Sequence, residues 1–257
     1  MVAKRYLIVD ADDFGQSHGV NRGIIEAHEH GVVTSASLMV RWPAADEAAA
    51  YGREHRALSL GLHLDLGEWA CREDLWVPLY EVVPLDDATA VGEEVSRQLS
   101  IFCSLIGKPP THIDSHQHVH LKEPAHSIVV EAARKLTIPV RHCSPSVHSC
   151  GDFYGQDADG SPLPEAISVD GLVKLLAQLP PGITELSSHP GIGNDLDTMY
   201  CRERAEELKV LRDPRVRSAI ADMGIELCSF GDINEGQVGE WINLRRAVER
   251  SDLKVAP

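Results

Sequence analysis

Three carboxylates, Asp10, Asp12 and Asp13, crowd the end of an otherwise apolar run at residues 6–11. Burying them together is costly unless a cation or several hydrogen-bond donors compensate. Capping of the following helix would employ one carboxylate and leave its neighbours unexplained. A second polar intrusion is His63, inside Leu58-Ser-Leu-Gly-Leu-His-Leu-Asp-Leu66, where alternation puts His63 and Asp65 on one face. The third is the richest: Thr111-His-Ile-Asp-Ser-His-Gln-His-Val-His120 holds four of the 13 histidines. An extended chain would show His112, Asp114, His116, His118 and His120 on one side, whereas a helical turn after Ser115 would stack His116 and His120. Either geometry brings two imidazoles toward one point. Histidine with carboxylate is ordinary ligation for a divalent cation, and a ligating imidazole needs an acceptor behind it, such as Asp114. His189, just before Pro190, ends another apolar run and can exchange a proton near neutral pH.

The elements that must position these groups alternate along the chain. Strands are expected at 6–11, 32–40, 58–64, 111–116, 137–141, 182–189 and 224–229. Between them fall helices at 20–30, 43–55, 88–106, 124–136, 170–179 and 200–211, one opening at Asp213-Pro214, and a closing helix over 241–248. The stretch 67–87 carries Trp69, Trp76, Pro78 and Pro84 without a clean period and reads as a functional lid, while 143–164 reads as a surface loop. Seven strands alternating with helices, and no linker-like composition, describe one α/β domain over 1–257, either a β/α barrel or an open doubly wound sheet. The polar residues singled out all lie at carboxyl ends of strands, where such folds place their sites.

Charge and motif content exclude several classes. With 24 basic against 39 acidic residues, the chain carries a formal charge of −15, which repels nucleic acid and anionic membrane surfaces. It contains no nucleophile elbow GxSxG, no phosphate loop GxxxxGK[ST] and no dinucleotide turn GxGxxG. No stretch reaches the roughly 18 apolar residues of a membrane span, and the amino-terminal residues lack a signal-peptide pattern, so a cytoplasmic address is expected. The six cysteines form no CxxC pair and read as free thiols.

In order, Leu7-Ile-Val-Asp-Ala-Asp-Asp-Phe-Gly15, Gly19-Val-Asn-Arg-Gly-Ile-Ile-Glu-Ala27, Gly31-Val-Val-Thr-Ser-Ala-Ser-Leu-Met39, Gly61-Leu-His63, the histidine-rich 111–120 motif and Ser188-His-Pro190 resemble the YdjC-like carbohydrate deacetylases. That family includes chitooligosaccharide deacetylases and a hopanoid-biosynthesis-associated branch. The resemblance implies a distorted β/α barrel of about seven parallel strands and one divalent ion, magnesium or zinc. It implies removal of an N-linked acetyl group from an acetylated amino sugar or glycoconjugate. By motif, Asp13, His63 and His116 would hold the ion, Asp12 would be the base, and His189 falls where related enzymes keep their acid. His120 is the alternate ligand. Within that mechanism Arg141 is expected beside the oxyanion, and Trp69 and Trp76 offer faces for sugar stacking. Were Asp12 not the base, Asp10 or Asp65 would be next. Asp10 stands where many members have asparagine, and Gln117 where many have histidine. The rival readings are a metal-dependent phosphoesterase and a non-catalytic carbohydrate-binding or regulatory protein; a homodimer is compatible with any of them.

Overall fold

The apolar runs become strands buried on both faces, as parallel strands covered by helices must be. The structure, a computed structural model, describes residues 4–233 apart from 74, 194 and 197. In chain order its strands are β1 (Arg5–Phe14), β2 (Ser35–Leu38), β3 (Ser59–Leu64), β4 (Gly67–Arg72), β5 (Leu75–Glu81), β6 (Ile113–Ser115), β7 (Val147–Cys150), β8 (Gly182–Ser188) and β9 (Ile225–Leu227). Seven of them pair in parallel in the order β6-β3-β2-β1-β8-β7, with β9 alongside the first residues of β1. The sheet curls without closing, which makes the fold a distorted β/α barrel.

Helices wrap it: α1 (His18–His30), α2 (Ala45–Glu54), α3 (Ala88–Ile106), α4 (Ala125–Leu136), α5 (Val169–Gln178), α6 (Arg202–Leu211) and α7 (Pro214–Asp222). Several begin where the sequence supplies a cap. Asp87 accepts from the backbone of Thr89 and Ala90 at the start of α3, and Asp213 precedes a first-turn proline in α7. The larger part of the core joins Val9, Leu38 and Leu62 of the sheet to Ile24, Val91, Phe102 and Val129 of the helices, and a smaller second cluster gathers Tyr6, Ile8, Ile183 and Phe230.

Three expectations change. Residues 137–141 form no strand, only a single bridge between Ile113 and Val140; Pro139 has no N–H to extend a ladder. The place beside β8 is taken by β7, inside the stretch expected to be a loop. The aperiodic 67–87 segment holds an antiparallel hairpin, β4–β5, whose register shifts between Glu68 and Trp69. That bulge erased the alternation that would have revealed it. The helix expected over 241–248 lies outside the described residues. Among those described, no helix is long and apolar enough to cross a membrane.

Candidate metal centre and active site

Adjacent residues on an ideal strand face opposite ways, so Asp12 and Asp13 can share a site only if the pleat breaks. It breaks at Asp13, whose φ is 68°, and the register of β1 on β2 shifts between Ala11 and Phe14. A left-handed aspartate costs strain, and such strain gathers at functional sites. Both carboxylates consequently line one cavity of about 830 Å3.

Two imidazoles converge on Asp13. His63 Nε2 lies 3.1 Å and His116 Nδ1 3.0 Å from Asp13 Oδ1, and the ligating atoms of the three buried residues lie within 4.8 Å of one another. Asp13 Oδ2 accepts from Arg204 Nη2 at 2.6 Å. His63 Nδ1 is 2.8 Å from Asp114 Oδ1. With Nδ1 donating there, the lone pair of Nε2 turns toward Asp13, and that buried nitrogen has no hydrogen-bond partner. Two nitrogens and one carboxylate oxygen at one buried point suit a divalent cation.

The electrostatics agree. Burial opposes charge on both rings, yet Asp114 holds His63 well above the usual histidine range, and Asp13 holds His116 up at about 9. The protein thus favours positive charge where the imidazoles meet. A cation must displace those protons, so apparent affinity should rise with pH, by about tenfold per unit for each proton released. Competition titrations between pH 6 and 8 check this, together with metal analysis of His63→Ala and His116→Ala. A flat profile, or both variants retaining full metal, would remove the assignment.

Arg141 does something other than was expected. Its guanidinium is buried behind Asp12 and is not part of the cavity wall. Nη1 and Nη2 donate to Asp12 Oδ2 and Oδ1 at 2.6 and 2.7 Å. Nη2 also reaches Asp10 at 2.9 Å and Asp114 at 2.7 Å, and Nε donates to Glu185 at 2.5 Å. Burial alone would raise the Asp12 carboxyl, but Arg141 outweighs it and keeps it below the usual range. Arg141 therefore orients Asp12 and keeps it ionised.

His120 spends both ring nitrogens on Ser115 Oγ (2.5 Å) and the Arg141 carbonyl (3.0 Å), so it braces Arg141 and has no free nitrogen for an ion. Asp65 accepts from Arg41, Trp42, Tyr80 and the Gly67 amide, which makes it an anchor for the hairpin root. Asp10 is taken by His112 Nε2 (3.1 Å) and Arg141.

His189 reaches the same cavity, its Nε2 3.6 Å from Asp12 Oδ2. Burial pushes its imidazole down to about 4. Its backbone N–H donates to Glu207 at 2.5 Å, and its ring meets Tyr154 and Tyr200 edge-on. Trp69 and Trp76 line the cavity from the hairpin, Trp76 remaining 54% exposed.

Glu68, Glu185, Arg204 and Glu207, all of them buried, join the site without having been expected there. Signals existed. Glu185 interrupts the apolar strand β8, and Arg204 and Glu207 share the inward face of α6 with Leu208 and Leu211.

Fold and site together define a metal-assisted hydrolase of the β/α class. The chain belongs to the YdjC-like protein family, which it matches over residues 6–222. It is 34% identical to the chitooligosaccharide deacetylase of Serratia marcescens, over 90% of this chain and 100% of that one. It is equally identical, at 34%, to the carbohydrate deacetylase of Geobacillus stearothermophilus, over 88% and 97% of the two chains. Among solved structures, an Enterococcus faecalis V583 protein described as a cellobiose-phosphate cleavage protein superposes with a TM-score of 0.71 at 27% identity, covering 90% of this chain and 100% of that one.

Proposed function

We propose that this protein hydrolyses the N-linked acetyl group of an acetylated amino sugar or glycoconjugate with the help of one divalent ion, zinc or magnesium. The observation that carries the reading is a single cavity uniting the Asp13, His63 and His116 cluster, an Asp12 held by Arg141, and His189 at 3.6 Å from Asp12. The deacetylase names of the two relatives support the substrate class.

Asp13, His63 and His116 would hold the ion, which when bound supplies Lewis acidity toward water and the acetyl carbonyl. Asp12, ionised and fixed by Arg141, accepts the proton of the attacking water. His189, kept neutral by burial, takes that proton from Asp12 at Nε2, 3.6 Å from Asp12 Oδ2, and passes it to the departing amine, which frees Asp12 for the next turnover. Tyr154 and Tyr200 stack at 4.3 Å beside His189 and limit water there. Trp69 and Trp76 supply flat apolar faces for sugar rings.

The phosphoesterase alternative fits less well. Asp12, Asp13, Glu68, Glu81 and Asp157 line the cavity, while its cations are Lys122 and an Arg204 already engaged by Asp13. Away from the ion, a phosphate dianion would meet more carboxylates than cations.

Acetate release from N-acetylated chito-oligosaccharides, single N-acetyl sugars and glucosaminyl lipids tests the proposal. Activity should vanish on chelation and return with zinc or magnesium. Phosphate release from a phosphoester panel without acetate from any sugar would replace it with the phosphoesterase reading. Saturable sugar binding with no product from either panel would replace it with a non-catalytic one.

A further inference from the structure

The loop that delivers His116 continues through two residues in left-handed backbone, Gln117 at φ 49° and His118 at φ 53°. Side chains with a Cβ rarely adopt that region, so something must hold the turn. Gln117 has such a hold. Its Oε1 accepts from the Trp69 backbone N–H at 2.9 Å, and its Nε2 donates to the Trp69 carbonyl at 2.8 Å. One amide side chain thus satisfies both backbone groups of a residue at the β4 bulge.

The preceding residue, Glu68, is 5% exposed and contacts the same loop. Its Oε2 lies 3.7 Å from His116 Nε2, a buried nitrogen with no hydrogen-bond partner, and its Oε1 accepts from Thr198 Oγ1 at 2.7 Å. The other ligand histidine, His63, has Asp114 in the corresponding place. A ligating imidazole commonly donates its second N–H to a carboxylate that fixes ring orientation. For His116 that carboxylate stands on a hairpin remote from it in sequence.

We infer that Glu68 and Gln117 are positioning residues that latch hairpin β4–β5 to the loop bearing His116, so that cation binding and ordering of the hairpin reinforce each other. An ion on His116 fixes the ring and hence the direction of its other N–H toward Glu68. By reciprocity, whatever orders the hairpin tightens the ion by the same factor. The wall that carries Trp69 and Trp76 is then set by the same event that completes the metal centre. The coupling rests on the cation site proposed above and is independent of which substrate is used.

The experiment compares cation-free and zinc-loaded full-length protein by hydrogen exchange over residues 67–81, alongside zinc affinity from chelator competition. In the wild type, zinc should slow exchange in the hairpin. Glu68→Gln should bind zinc about 10- to 100-fold more weakly. Gln117→Leu should lose the zinc-dependent slowing while zinc still protects the β1 and β3 amides. Gln117→Glu, which keeps the acceptor but sets a carboxylate oxygen against the Trp69 carbonyl, should behave like Gln117→Leu. Hairpin exchange that ignores zinc in the wild type overturns the coupling, as does wild-type zinc affinity in Glu68→Gln together with wild-type hairpin protection in both Gln117 variants. If the wild type binds no zinc at all, the metal centre and the coupling fall together. A coupled hairpin in a protein that releases no acetate would refute the deacetylase proposal alone.

Discussion

Asp12→Asn is expected to retain its cation and to lose about 10²- to 10⁴-fold in kcat, the usual cost of a missing general base. Asp12 lies outside the Asp13, His63 and His116 cluster proposed to hold the ion, so the ion should stay. Its two oxygens are held by two nitrogens of Arg141. Asparagine keeps a carbonyl for one of those donors and turns an amide toward the other, so some loss of melting temperature accompanies the loss of rate. The neighbouring carboxylates cannot take over. Asp10 faces Arg141 and His112, and both oxygens of Asp65 are filled by donors. Metal analysis, a thermal melt and acetate-release kinetics on one preparation separate these effects. An Asp12→Asn enzyme as fast as the wild type would mean that Asp12 is not the base. Loss of the ion in that variant would make Asp12 a ligand instead.

Replacing Arg141 should be the most damaging change for stability. In Arg141→Met four buried carboxylates, Asp10, Asp12, Asp114 and Glu185, lose the cation they share. Breaking a single buried pair costs about 3–5 kcal/mol, and here several partners are stranded at once. Lysine would not rescue it, because a point charge cannot replace a planar fork of donors.

The pH dependence gives the sharper test. In the wild type, Asp12 and Asp114 sit below their usual value of 3.8, so the stability they contribute is present above that pH and is lost on acidification. Without Arg141, burial dominates and their folded-state values rise above the unfolded ones. The folded variant then binds more protons than the unfolded chain, and its stability falls as pH rises. Urea midpoints at pH 5 and pH 8 should therefore favour the lower pH in Arg141→Met more than in the wild type. A variant within about 1 kcal/mol of the wild type at both pH values would contradict this account.

What the sequence revealed and what it hid divide along physical lines. Strands buried on both faces announce themselves as apolar runs, and polar residues ending such runs are conspicuous; Asp12, Asp13, His63, His116 and His189 stand out that way, and all five line one cavity. The arrangement at Asp13 was legible as a condition, since two adjacent aspartates need a broken pleat, but not as the bulge that meets it. Arg141 was expected beside the oxyanion only through the mechanism that the family resemblance implies; its partners come from β1, β6 and β8, and no local pattern names them. His120 looked like a ligand because a regular turn would align it with His116. The left-handed pair Gln117 and His118 sends it inward to Ser115 instead. The short strand β7 was hidden because Val147-His-Ser-Cys150 carries little apolar signal, and Pro145 shortly before it reads as loop.

One helix bears on how this site tolerates change. Through Arg204, α6 grips the Asp13 carboxylate, and through Glu207 it receives the His189 backbone N–H. Those two anchors are three residues apart, about 4.5 Å along the axis at 1.5 Å per residue. The helix acts as a fixed gauge between the Asp13 carboxylate, proposed to hold the ion, and the His189 imidazole, proposed to carry the proton. Loops and hairpin around the cavity can therefore be rebuilt for a different sugar without resetting that distance, whereas a one-residue insertion between Arg204 and Glu207 would turn one anchor away by about 100° and spoil it in a single step.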